Sequence, residues 1–153
     1  MSEMDADFAS VWSRVTGGRP AKDELTKLRR WLRDEAEGIR SYETMLRYRL
    51  PPHARETLGT LLKTERRHLR QLRTLYYLRT GDSWLPPKPE EQEQPPLMKS
   101  LRERYAAVLA QEESYRQAAS ERRDTAALCE SLAGEEAANA AQLRELTRRL
   151  LLF

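Results

Sequence analysis

Residues 61–75 read LLKTERRHLRQLRTL and residues 132–146 read LAGEEAANAAQLREL, and the two stretches align without a gap. In the first, Leu61, Glu65, His68, Leu72 and Leu75 are separated by steps of four and three, so they draw one stripe along a helix. Leu132, Glu136, Asn139, Leu143 and Leu146 repeat the same steps, so Glu136 matches Glu65 and Asn139 matches His68. A stripe of this kind faces a core, yet in each copy two of its central positions are polar. A duplicated helix of this type predicts an all-α fold built from two related helical hairpins, a four-helix bundle with a pseudo-twofold axis.

The flanking sequence extends both copies. From about Lys22 to Leu50, the residues Leu25, Leu28, Leu32, Glu35, Ile39, Tyr42 and Leu46 form one stripe, and Pro51-Pro52 stops that helix. A second helix then runs from about His53 to Arg79. A third, about Leu97 to Ser120, carries Leu101, Tyr105, Val108, Glu112, Tyr115 and Ala119 on its stripe. The fourth, about Asp124 to Leu152, carries Cys129, Leu132, Glu136, Asn139, Leu143, Leu146 and Leu150. Glu35 and Tyr42, seven apart, match Val108 and Tyr115, also seven apart. Short turns make antiparallel hairpins of 22–80 and 97–153. The linker 81–96 contains WLPPKPEEQEQPP, whose prolines forbid helix; extended at ~3.1 Å per residue it could cross a bundle about 40 Å long. At 1–19, Phe8 to Val15 with Val11 and Trp12 reads as a short amphipathic helix ended by Gly17-Gly18 and capping one end of the bundle. The whole of 1–153 is then one domain.

Composition agrees with this organisation. A chain of 153 residues can bury one core, and 33% charged residues with 7% aromatics and six glycines suits long exposed helices rather than strands. The 27 basic and 24 acidic residues are interspersed, with no single-sign patch, which argues against a nucleic-acid partner. Arg66, Arg67, Arg70, Arg73, Arg148 and Arg149 accordingly read as a solvated face. Cys129 is the lone cysteine, which excludes an intramolecular disulfide and any CxxC metal or redox motif, and it reads as a buried inert thiol. No stretch approaches the ~20 apolar residues of a membrane span, and the first residues form no apolar signal core. The expectation is a soluble cytoplasmic protein. His53, at a helix start after two prolines, is expected to be exposed. The apolar run Leu150-Leu151-Leu152-Phe153 is expected to pack under the N-terminal segment or form a homodimer contact.

Glu35, Glu65, His68 and Glu136 each interrupt a core stripe, and burying them is costly unless something pairs with them. A bound cation is a common partner for several carboxylates converging with one histidine. These four residues are the candidate metal ligands.

A Glu with Tyr seven residues later, followed by ExxH as Glu65-Arg66-Arg67-His68 and by LRQLRTLYYLRTG, resembles the ferritin-like superfamily, most closely its rubrerythrin-like branch. The resemblance implies two iron or manganese ions between the helices, one Glu from each of two helices and Glu-x-x-His from each of the other two. It implies two-electron reduction of peroxide or dioxygen, an oxidoreductase chemistry that leans on two bridged ions. Tyr42 and Tyr115 would hydrogen-bond to ligand carboxylates. This chain departs from the pattern at Val108, where a Glu is expected, and at Asn139, where a His is expected. Glu112, one turn beyond Val108 and displaced by ~6 Å, is a possible substitute ligand.

Three carboxylates and one imidazole suit a single divalent ion, iron or manganese with zinc also possible. Two alternatives stand beside this reading: a metal-free degenerate bundle serving as a structural or protein-interaction module, and a two-metal centre completed across a homodimer.

Overall fold

The computed structural model describes residues 22–88 and 93–152. Within them lie four helices and no strand: α1 Lys22–Met45, α2 Pro52–Thr80, α3 Leu97–Glu121 and α4 Ala126–Leu151. All four expected helices are present. The segment Phe8 to Val15 and Phe153 fall outside the described residues.

The ends of the helices follow from local chemistry. α1 stops at Met45 rather than at the expected Leu50, and the chain is extended by Pro51, at φ −61°, ψ 153°. Its last turn tightens through Arg47 N–H to Thr44 O and Tyr48 N–H to Met45 O, both 3.1 Å. Arg55 then reaches back from the first turn of α2 and donates to the carbonyls of Leu46 at 3.1 Å and Tyr48 at 3.2 Å. Pro52 opens α2 where its missing N–H costs nothing, and Gly81 closes it at φ 78°, a left-handed conformation that disfavours any side chain. α4 begins at Ala126, two residues later than expected, because Arg122 is extended and Asp124 is drawn into ion pairs with Arg79 and Arg122.

Each helix packs on two neighbours, α1 and α4 each touching both α2 and α3. Lys27 pairs with Glu121, Trp31 with Ser114 and Glu35 with Tyr115, so α1 and α3 run antiparallel. Arg79 with Asp124, His68 with Glu136 and Glu65 with Asn139 set α2 antiparallel to α4. Trp84, just after α2, stacks 6.1 Å from Tyr76 under the guanidinium groups of Arg29 and Arg33. Ten residues later Gln94 donates to the Thr44 carbonyl at 3.3 Å, near the other end of α1. No helix among the described residues is long and apolar enough to cross a membrane.

The core forms two apolar clusters with a polar layer between them. One holds Tyr42, Met45, Leu58, Leu61, Leu101, Val108, Leu143 and Leu146, and the other Leu28, Trp31, Leu32, Leu72, Tyr115 and Leu132. Burying each such leucine contributes ~1.5–3 kcal/mol. In α3 the inward face differs from the expected stripe: Arg104, Gln111 and Ala118 are buried where Tyr105, Glu112 and Ala119 were expected. Both sets share Leu101, Val108 and Tyr115 and satisfy helical spacing, so docking against α1 and α4 selects between them. In α2, Tyr76 is buried in place of Leu75. His53 is half-buried rather than exposed, with Nε2 enclosed. Leu150 packs against the first cluster, whereas Leu151 and Leu152 are exposed.

Candidate metal centre

The polar layer brings the four sequence-predicted residues together. Glu35 comes from α1, Glu65 and His68 from one face of α2, and Glu136 from α4; all four are fully buried. One ligand atom from each lies within 4.8 Å of all the others. The spacing of three between Glu65 and His68 puts them one turn apart on the same side of α2. Of the remaining candidates, Glu112 is not in the group. It is half-buried and accepts from Arg116 at 2.9 Å, because its face of α3 turns away from the layer.

The hydrogen bonds respect the internal repeat. His68 Nδ1 lies 3.0 Å from Glu136 Oε1, and the matching Asn139 Nδ2 donates to the matching Glu65 Oε1 at 3.3 Å. Tyr115 donates its hydroxyl to Glu35 Oε1 at 2.6 Å. By the same repeat Tyr42 would donate to residue 108, which is valine, and its buried hydroxyl has no partner among the described residues. The expected hydrogen bond from Tyr42 to a carboxylate is therefore absent, for a reason legible in the sequence. Tyr115→Phe should cost about 1.5–3 kcal/mol by removing a buried charge-assisted bond, while Tyr42→Phe should lie within ~0.5 kcal/mol of the parent or stabilise it. Urea unfolding of the two variants measures the difference, and equal losses would contradict this account.

Electrostatics sort the four groups into unequal states. Burial alone would depress the imidazole, but Glu136, Glu35 and Glu135 surround it and push His68 up to about 10. Burial also acts on Glu65, and with Glu35 and Glu136 beside it its carboxyl is raised well above the usual range. Glu136 is raised by burial, with His68 opposing. Burial works against ionised Glu35 too, yet hydrogen bonds from Glu65, His68 and Tyr115 outweigh it and hold Glu35 below its ordinary value. With protein groups alone, then, the surroundings favour the proton on Glu65 over Glu35 and the charged form of His68.

Three residues escaped the sequence reading. Glu135 Oε2 accepts from His68 Nε2 at 2.8 Å and also binds Arg67, so the outer nitrogen of the histidine is anchored. Its only signal was adjacency to Glu136. Arg104 is 4% exposed, donates to Gln111 Oε1 at 2.9 Å, and lies 5.9 Å above the Tyr42 ring. Gly38 makes room for it. A Cβ at that position would stand 3.3 Å from Glu65 Oε2 and 3.5 Å from Arg104 Cζ.

The donor set fits a metal ion. Glu35 Oε2, Glu65 Oε2 and Glu136 Oε2 are buried and accept no hydrogen bond from a nitrogen or hydroxyl group among the described residues; the three carboxyls meet one another instead. Carboxylate oxygens and one imidazole are the ligand types of manganese, iron and zinc sites. Glu135 holding Nε2–H leaves Nδ1, which faces Glu35 and Glu136 at 3.5 and 3.0 Å, as the coordinating nitrogen of a neutral histidine. This buried Glu-Glu-His-Glu group can hold a metal ion. Among known proteins, the chain matches no family model, no curated protein and no solved structure.

Proposed function

We propose that this protein is a ferritin-like bundle that binds one transition-metal ion, iron or manganese, through Glu35, Glu65, His68 and Glu136. The observation that carries the reading is the convergence of three fully buried carboxyl groups with a histidine whose far nitrogen Glu135 anchors, one ligand atom of each lying within 4.8 Å of the others. Support for ferritin-like descent comes from the helix directions: α2 and α3 run the same way, as a crossover connection requires, and Trp84 lies against Arg29 and Arg33 in the N-terminal half of α1 while Gln94 reaches Thr44 near its C-terminal end. The ExxH motif and its degenerate copy support the rubrerythrin-like resemblance. The bound ion would supply a positive centre with room for water; Glu65 and Glu136 would take its charge, Tyr115 would orient Glu35, and Glu135 would set the histidine tautomer. The reading assigns metal binding and no turnover.

One observation favours the metal-free module instead. A proton on Glu65, a charged His68 and Arg104 together balance the three carboxylates without any ion. Glu65→Gln separates the readings, because the amide copies a protonated carboxyl in shape while removing a charged ligand. Apo stability should stay within ~1 kcal/mol of the parent. Elemental analysis of protein purified without chelator from iron- and manganese-supplemented cells should give about one equivalent per chain for the parent and near zero for the variant. Near zero in both would sink the metal reading and leave the interaction module.

A further inference from the structure

The internal repeat that matches Glu35 with Val108 also matches, one turn earlier on the same helices, Trp31 with Arg104. Both are 4% exposed and both cover the tyrosine of the opposite hairpin, Trp31 at 5.0 Å from Tyr115 and Arg104 at 5.9 Å from Tyr42. The two positions are thus equivalent in packing and opposite in electrical character. Relative to the first half, the second has lost one negative charge at Val108 and gained one positive charge at Arg104. That change of two units is the charge of one divalent ion.

Arg104 is an expensive group to bury. A guanidinium cannot shed its proton, its polar contact is the neutral Gln111 amide, and its Nε has no partner among the described residues. What compensates it is the field of the carboxylates, since Gly38 opens a space that Glu65 Oε2 and Arg104 Cζ both border. Among the fully buried groups, three ionised carboxylates are neutralised by one divalent ion and one arginine, while the half-buried Asp34 and Glu135 stand beside Arg30 and Arg67. A second divalent ion would leave two uncompensated positive charges inside the bundle.

We infer that Arg104 takes the place of a second divalent cation and thereby holds the centre to one ion per chain. This rests on the metal-binding reading above and adds to it what sets the stoichiometry. Arg104 is a positioning residue by this account, since its charge acts on the ion through Glu65 and the surrounding field.

Equilibrium dialysis of the chelator-stripped full chain against Mn2+, followed by elemental analysis, tests it. The parent and Arg104→Lys should each bind about one ion, because both keep the cation. Arg104→Met combined with Val108→Glu should bind about two, since four carboxylates then face two ions with no fixed positive charge. Arg104→Gln should bind its single ion about tenfold or more tightly than the parent, whereas loss of a merely structural arginine would weaken binding. Circular dichroism identifies any variant that fails to fold, and if the double variant fails, the direction of the Arg104→Gln change decides. Two ions in the parent, one in a folded double variant, or unchanged or weaker binding in Arg104→Gln would each overturn the inference. No ion in the parent would overturn the metal reading itself, and this inference with it.

Discussion

Stripped of metal, the protein should lose stability as pH rises from about 6.5 to about 10, and one bound divalent ion should reverse that slope. His68 is held near 10 in the folded chain against about 6.5 when unfolded. Below about 6.5 both states carry the proton and its stabilisation is fully present; above that the unfolded state releases the proton, the folded state keeps it, and the contribution is gone once the pH passes about 10. The full loss is on the order of 5 kcal/mol. Glu65 acts in the same direction, because its folded carboxyl keeps a proton that the unfolded chain gives up above its ordinary value. Glu35 acts oppositely at the acid end: held below its ordinary value, it contributes stability that disappears as pH falls through that range. The apo protein is therefore most stable in weakly acidic solution. A divalent ion must displace the protons on Glu65 and His68, so binding tightens and its stabilisation grows with pH. Urea midpoints between pH 5.5 and 9, with chelator and with Mn2+, would show two diverging curves. An apo midpoint that stays level across that interval would refute the assignment of charged His68.

His68→Ala should destabilise the apo protein by about 3–5 kcal/mol, the cost of breaking a buried ion pair from one side. The imidazole contacts Glu136 at 3.0 Å, Glu35 at 3.5 Å and Glu135 at 2.8 Å, and alanine would leave the first two buried with no neighbouring cation in direct contact. The loss should be largest near neutral pH and shrink toward pH 4, where Glu136, already raised, takes up a proton. An equal loss at both pH values would assign the effect to the cavity rather than to charge. The contrast with Glu65→Gln is informative: two neighbours on one face of α2 differ in apo cost by several kcal/mol, yet both substitutions should abolish metal binding.

The four helices could be read in the sequence because the period of the apolar stripe is a local property. Glu35, Glu65, His68 and Glu136 stood out for the same reason, each being polar where the period demands an apolar residue. Leu58, Leu61, Leu132 and Leu143 fell in the core as expected. The departures from the internal repeat at Val108 and Asn139 were legible too, and they account for the unpartnered Tyr42 hydroxyl and for the weak amide bond that replaces one from histidine. Helix ends were less legible, because Arg55 capping the Leu46 and Tyr48 carbonyls, or Arg79 binding Asp124, depends on groups brought from other helices.

The rotation of α3 was decided only by tertiary structure. Its sequence allows a stripe through Tyr105 and Glu112 or one through Arg104 and Gln111, and nothing local separates them. Packing against α1 and α4 chose the second, which turned Glu112 away, set Arg104 beside Glu65 at the gap left by Gly38, and so fixed the charge balance of the centre. Periodicity along one helix shows which residues share a face. The neighbours that face meets, and hence the protons and cations its buried carboxylates require, depend on the other three helices.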